Sequence, residues 1–320
     1  MKRTVKSGDT MVSLVEAYLA ERRCLGFDLK ISGQTLMNFA RFADATGHCG
    51  PITERLVLDW AHSTPSDRAI TWARRIEVIR PFAKYLKQFA PATAIPPRDL
   101  CGRAHRRLAP HIYTEKEVIE LLAASAAMLP TGSIRPLTYE TLFGLIAATG
   151  LRISEAINLS MDDVNLAQGT LIVRETKFKK ARLIVLHPTV TLALKRYRAH
   201  RTLVIAAEPC DSFFVSLAGR KLDARTVHWA FGRLRDRLGW IARGDHESPR
   251  IQDLRHTFVC RRILKWHQEG VNVDNRMINL STYLGHVKPS DTYWYLSAVP
   301  DLMEMVSQKF ASFAEGVSHE

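Results

Sequence analysis

The sequence predicts a mainly α-helical chain with a small antiparallel β-sheet, arranged as two domains. Over most of the chain apolar residues return every three or four positions, the period of a helix with one buried face. One pair of short β-branched runs, 169–173 and 182–186, is joined by the polar turn 175–180. A proline- and arginine-rich stretch from Pro91 to Pro110 interrupts the helical period, and 320 residues suffice for two domains.

Residues 10–90 read as helices. Val12, Leu14, Val15, Tyr18 and Leu19 share one helical face, as do Leu36, Phe39, Ala40 and Phe42. A longer segment from Ser66 to Phe89 carries Ile70, Ile76, Ile79, Phe82, Tyr85, Leu86 and Phe89. Pro81 lies inside it and predicts a kink or break, because proline has no N–H for the preceding turn. A charge run is ordinarily a solvated face. Here Arg68, Arg74, Arg75, Arg80, Lys84 and Lys87 face only Asp67 and Glu77, a balance suited to phosphate contacts. The stretch that follows, with Arg98, Arg103, Arg106 and Arg107, reads as a basic linker.

Thr114-Glu-Lys-Glu117 has the form of a capping box and opens the second domain. Helices are expected over 115–128 and 135–149, the second ended by Gly150, with a new helix just beyond. The two strands come next, then helix from Pro188 onward, broken by a short strand at 213–216. Leu302, Met305, Val306, Phe310 and Phe313 give the C-terminal segment an apolar stripe. The expected boundaries are 1–97, a linker over 98–112, and 113–320.

The formal net charge of +13 and pI near 9.7 point to a polyanionic partner, nucleic acid before membrane surface. No apolar run approaches the ~20 residues that span a bilayer, and Met1–Asp9 lacks the apolar stretch of a secretory signal. The expectation is a soluble cytoplasmic protein, associated with the nucleoid when on DNA. Five widely spaced cysteines suit reduced thiols. No His/Cys ligand spacing is present; His256 and Cys260, one turn apart, read as packing, and no metal is expected.

Four fragments belong together: Thr149-Gly-Leu-Arg152-Ile-Ser-Glu155, Lys177 in the turn, Gln252-Asp-Leu-Arg255-His256, and Leu284-Gly-His286 with Tyr295 nine residues on. They supply what phosphodiester transfer without a metal requires. Two arginines can grip both non-bridging oxygens of a phosphate and neutralise charge in its pentacoordinate transition state. A lysine can protonate the departing sugar oxygen. A tyrosine can store the broken bond as an ester, so resealing needs no outside energy.

In order and spacing these fragments resemble the tyrosine recombinase (phage integrase) family, from about Tyr113 to Tyr295. The resemblance implies a helical core-binding domain followed by the family's catalytic domain. It makes Arg152 and Arg255 the phosphate-binding arginines, Glu155 the acid supporting the first, and Lys177 the general acid. His286 becomes the histidine that hydrogen-bonds the phosphate, and Tyr295 the nucleophile, with Tyr293 the rival and Tyr293 and Trp294 otherwise packing anchors. It implies no cofactor, a double-stranded DNA partner, and a homotetramer (or an assembly with related recombinases) in which the C-terminal helix docks on a neighbour. Arg74, Arg75, Lys84, Arg106, Arg107, Lys179 and Lys180 are the expected DNA contacts. One position departs from the pattern: Gln252 stands where the family usually has histidine, and an amide cannot accept a proton near neutral pH. Gln252 keeping only the hydrogen-bonding role with water as base, His256 substituting although expected to point elsewhere, and a weakened enzyme are the alternatives. The expected function is site-specific cleavage and rejoining of DNA through a 3′-phosphotyrosine, for a mobile element or plasmid. The competing readings are type IB topoisomerase-like relaxation and a non-catalytic DNA-binding relative.

Overall fold

A computed structural model describes residues 10–104, 107–174, 181–204, 210–286 and 288–297. The chain divides into two compact units, Met1–Arg107 and Leu108–Glu320. No helix among the described residues is long and apolar enough to cross a membrane.

The described part of the first unit contains the helices α1 (Met11–Cys24), α2 (Lys30–Ala45), α3 (Glu54–His62) and α4 (Ala69–Leu86). They enclose a core that includes Val15, Leu36, Phe39, Trp60, Ile79 and Phe82. Asp44, in the last turn of α2, accepts from the N–H groups of Met11 and Val12 at 2.7 and 3.0 Å. A carboxylate thus satisfies two orphan donors at the positive end of α1 and ties the two helices together. The expected break at Pro81 does not occur: α4 runs through it as one helix. Pro81 faces solvent, while Ile76 and Ile79 before it and Phe82 and Leu86 after it bury in the same core, so shared burial outweighs the lost backbone hydrogen bond. Beyond α4 the chain stays on this core as far as Ala104. Thr93 and Ala104 are buried, Ala94 N–H donates to Ile52 O at 2.8 Å, and Leu100 and Cys101 pack against the helices. Residues 98–104 of the segment read as linker therefore belong to the first unit.

The second unit opens with α5 (Glu115–Ala126), α6 (Ile134–Thr149) and the single-turn α7 (Ile153–Ile157). A three-stranded antiparallel sheet follows, in the order β1 (Val164–Asn165), β2 (Thr170–Val173), β3 (Arg182–Val185), with Val173 opposite Arg182. The described helices end with α8 (Pro188–Val204), α9 (Ala224–Leu238), α10 (Ile251–Gln268), α11 (Val273–Leu284) and α12 (Ser290–Ser297). The two-residue β1 was not foreseen. The strand expected over 213–216 is absent; Phe213, Phe214 and Val215 are instead fully buried and pinned by the isolated bridges Ser160↔Ser212 and Val215↔Lys221. Their β-rich composition serves the core around Tyr197, whose hydroxyl accepts from Val215 N–H at 3.0 Å.

The start of this unit is held by charge. The capping box forms as expected: Thr114 N–H donates to Glu117 at 2.7 Å, and Glu117 N–H to Thr114 Oγ1 at 3.2 Å. Arg243 then donates to the same carboxylate at 2.8 Å. Ala109 and Asp245 exchange two hydrogen bonds of 3.0 Å, and Tyr113 N–H donates to Thr257 Oγ1 at 2.9 Å. Burial pushes the Glu117 carboxyl up, but hydrogen bonds from Arg243 and Thr114 outweigh it and bring it to about 2. His111, 3.4 Å away, is held below the ordinary imidazole range by burial and Arg243, so the carboxylate's cation is Arg243.

A carboxyl depressed in this way contributes stability above its unfolded pKa near 4.3, and loses it as pH falls through about 2. Discounted for the half-exposed arginine, the contribution is on the order of 2 kcal/mol. Thermal unfolding from pH 7 to pH 3 should show Glu117→Gln melting several degrees lower at neutral pH, with the gap to the wild type narrowing by about half at the acid end. A constant gap across that range would contradict this assignment.

Candidate active site

The turn from α6 into α7 places the first arginine. Gly150 closes α6 at φ +65°, and a Cβ there would meet the Phe258 ring at 2.6 Å, so conformation and space both require glycine. Arg152 follows in extended conformation. Glu155 reaches back across one turn, accepting from Arg152 N–H at 2.9 Å and from Arg152 Nη1 at 2.8 Å. The same Arg-x-x-acid device starts α10, where fully buried Asp253 accepts from Arg250 N–H and Nη2 at 2.9 and 2.7 Å. That cap fixes the helix carrying Gln252, Arg255 and His256.

Arg255, 1% exposed, sends its guanidinium to meet Arg152. Its Nη1 donates to Gly150 O at 2.7 Å, and its Nη2 to Leu284 O at 2.8 Å, with His286 Nε2 at 3.0 Å from Nη2. Leu284 O also accepts from Arg152 Nη1 at 3.5 Å. His286 follows Gly285, which caps α11 at φ +69° and whose absent Cβ leaves room for Arg182 Nη1, 2.9 Å from where it would stand. The imidazole Nδ1 lies 2.7 Å from Thr292 Oγ1, and its ring is nearly parallel to the Tyr295 ring at 6.2 Å. Tyr295 is 3% exposed and sits with these arginines, whereas Tyr293 is 37% exposed and donates to Asp274 at 3.3 Å. The rival tyrosine faces away from the cations.

The electrostatics follow from three guanidinium groups around one carboxylate. Arg182 donates to Glu155 twice, at 3.1 and 2.8 Å, and Arg255 Nη1 lies 3.9 Å from it. Burial raises Glu155, but Arg182 and Arg152 more than reverse this, and it is ionised. Burial and Arg152 pull Arg255 down to about 10, still a cation at neutral pH. Burial, Arg255 and Arg152 hold His286 down at about 4, so its ring is neutral. Burial raises the Tyr295 phenol, and Arg255 opposes that rise. The site therefore holds more positive charge than it neutralises, around a protonated phenol. An anion is the ligand that such a site lacks.

Gln252 is half-buried in the first turn of α10 and makes no side-chain hydrogen bond among the described residues. His256 does not point elsewhere. Residues four apart share a helix face, and its ring packs 5.1 Å from Tyr295 and 5.5 Å from Trp294. Burial holds it down at about 4, with Nδ1 buried and unpartnered. In the first unit Arg74 and Lys84 are exposed, Arg74 Nε donating to Ala104 O at 3.4 Å. Arg75 is half-buried, donates to Trp60 O at 2.7 Å, and lies 4.0 Å over the Trp60 ring. It is committed to its own core rather than free for a ligand. Arg107 is exposed. Arg106, Lys177, Lys179, Lys180 and the 302–313 stripe lie outside the described residues.

Sequence reasoning missed Arg182 and Thr292. Arg182 shares the inward face of β3 with fully buried Ile184, while Leu183 and Val185 point outward at 60% and 72% exposure. A charge in phase with a buried position was the available signal. Thr292, one turn before Tyr295, offered none that distinguishes it from an ordinary helical threonine.

A model described as "Phage integrase family" matches residues 112–300. The "Putative integrase/recombinase y4rB" of Sinorhizobium fredii is 35% identical over 301 residues, covering 92% of this chain and 95% of the relative. Tyrosine recombinase XerC of Bacillus licheniformis is 28% identical over 252 residues, 78% of this chain and 77% of the relative. The solved Tn1549 transposon integrase, in complex with transposon right end DNA, is similar in fold at TM-score 0.67 and 17% identity, over 95% of this chain and 100% of that one. The fold, the arginine-lined tyrosine and these matches agree: the chain belongs to the phage integrase family, the tyrosine recombinases, which cleave and rejoin DNA through a tyrosine nucleophile.

Proposed function

We propose that this protein is a site-specific recombinase whose Tyr295 attacks a DNA backbone phosphate to give a 3′-phosphotyrosine and a free 5′-hydroxyl. The observation that carries this reading is the gathering of Arg152, Arg182 and Arg255 around one carboxylate beside buried Tyr295. In the attack the Tyr295 oxygen–phosphorus bond forms and the bond from phosphorus to the 5′ oxygen breaks. Arg255 turns donors from its carbonyls to the non-bridging oxygens, while Arg152 stays paired with Glu155 and offers its remaining N–H groups, and together they neutralise the charge gathering there. Lys177 gives its proton to the departing 5′ oxygen. The phenolic proton passes to water, with Gln252 orienting the phenol but unable to take the proton. Rejoining is the reverse, with the 5′-hydroxyl of a partner strand as nucleophile. Double-stranded DNA is the substrate, gripped by exposed cations that include Arg74, Lys84 and Arg107, with Arg106, Lys179 and Lys180. A homotetramer on two sites, or a mixed assembly with related recombinases, brings the strands together in the cytoplasm. Mobile-element or plasmid DNA is the natural target class, in keeping with the transposon integrase among the similar folds.

A nicked suicide duplex, which loses a short fragment on cleavage, should trap a covalent adduct with the wild type. Tyr295→Phe should abolish the adduct and Tyr293→Phe should keep it; the opposite pair of results would move the nucleophile. Gln252→His should leave single-turnover cleavage unchanged or faster and make its rate rise with pH through about 6.5, where an ordinary imidazole titrates. A large loss of cleavage in that variant would mean that the amide itself is required.

A further inference from the structure

We infer that Thr292 is a positioning residue that sets which nitrogen of His286 carries the proton, letting the histidine change from acceptor to donor when a phosphate enters. The inference rests on the recombinase reading above. Arg255 Nη2 lies 3.0 Å from His286 Nε2, and a guanidinium can only donate. In this arrangement, therefore, Nε2 offers its lone pair and the single ring proton sits on Nδ1. That proton has one receiver, Thr292 Oγ1, at 2.7 Å. Thr292 is fully buried, so bulk water does not compete for its hydroxyl.

A phosphate oxygen carries only lone pairs, so to hydrogen-bond it Nε2 must bear a proton. Adding a second proton to the ring is costly here, because burial and the two neighbouring arginines hold the imidazole neutral. The alternative keeps the ring neutral. As Arg255 turns its donors to the phosphate, the half-exposed imidazole exchanges protons with solvent when its bond to Thr292 opens, losing the one on Nδ1 and gaining one on Nε2, with no net change. A hydroxyl can serve both tautomers, accepting from Nδ1–H before the change and donating to bare Nδ1 after it. Neither an aliphatic side chain nor a backbone carbonyl can do both. Thr292 also stands one turn before Tyr295 on α12, so the same bond sets the spacing between the histidine and the nucleophile's helix.

The test uses the full-length protein. With ¹⁵N-labelled histidine, His286 should show its proton on Nδ1 in the free protein. It should show it on Nε2 when Tyr295→Phe protein is bound to an uncleaved duplex. Thr292→Val, which keeps shape and loses the hydroxyl, should slow single-turnover cleavage by about 10–100-fold, the range found when a metal-bound histidine loses the partner that fixes its tautomer. Its DNA dissociation constant should change much less, and Thr292→Ser should recover most of the rate. Nδ1–H persisting on DNA, a valine variant as fast as the wild type, or a serine variant no better than valine would each overturn the inference. An adduct that forms without Tyr295 would instead overturn the recombinase reading, so the two failures are distinguishable. If Thr292→Val does not fold, the wild-type and Tyr295→Phe spectra and the serine variant still decide.

Discussion

Glu155 lies almost fully buried with Arg152 on one side, Arg182 on another and Arg255 just beyond, and the geometry of the catalytic unit depends on that carboxylate. A buried charge is tolerated only when paired and hydrogen-bonded, and Glu155 accepts from three donor groups: the Arg152 backbone and the Arg152 and Arg182 side chains. Each donor comes from a different structural duty. The Arg152 N–H opens α7, the Arg152 guanidinium faces that of Arg255 and in the proposed reaction would meet the phosphate, and Arg182 anchors the inner face of β3. One side chain thus joins a helix start to the sheet and aims an arginine. Removing it would strand three guanidinium groups together without an anion.

Arg255 is held before substrate arrives by neutral partners that cost little to leave. Arg255 rests on the carbonyls of Gly150, the C-cap of α6, and Leu284, the last residue of α11, and Leu284 O accepts from both arginines. These carbonyls keep a buried cation satisfied without neutralising it. A phosphate would add what they lack, formal negative charge, in a site already desolvated and oriented. The two glycines guard this arrangement: Gly150 yields to Phe258 and Gly285 to Arg182, and a side chain at either would displace the turn whose carbonyl holds Arg255.

Much of this was legible in the sequence because the relevant signals are local. The Thr114–Glu117 capping box and the glycine stop at Gly150 act within one turn and need no knowledge of the fold. The spacing from His286 to Tyr295 likewise spans a single turn and helix. What was missed depends on tertiary context. Pro81 reads as a break until both halves of α4 are seen to bury in one core. The run Phe213–Val215 reads as a strand because cores and strands favour the same residues. Arg182 was hidden by flanking apolar residues that turned out to face solvent, and the expectation for His256 erred on helix geometry, not on chemistry.

Helix α10 shows how the site is tied to the chain leading into it. Tyr113, buried just before α5, donates through its N–H to Thr257 and through its hydroxyl to Arg250 O at 3.0 Å, and its own carbonyl accepts from Arg261 at 3.0 Å. All three partners belong to α10 or its N-cap, on the helix that carries Gln252, Arg255 and His256. Hydrogen bonds at three points along more than two turns resist both sliding and rotation of that helix, motions that would carry Arg255 off the Gly150 and Leu284 carbonyls. The segment that begins the catalytic unit is therefore also a brace for Arg255.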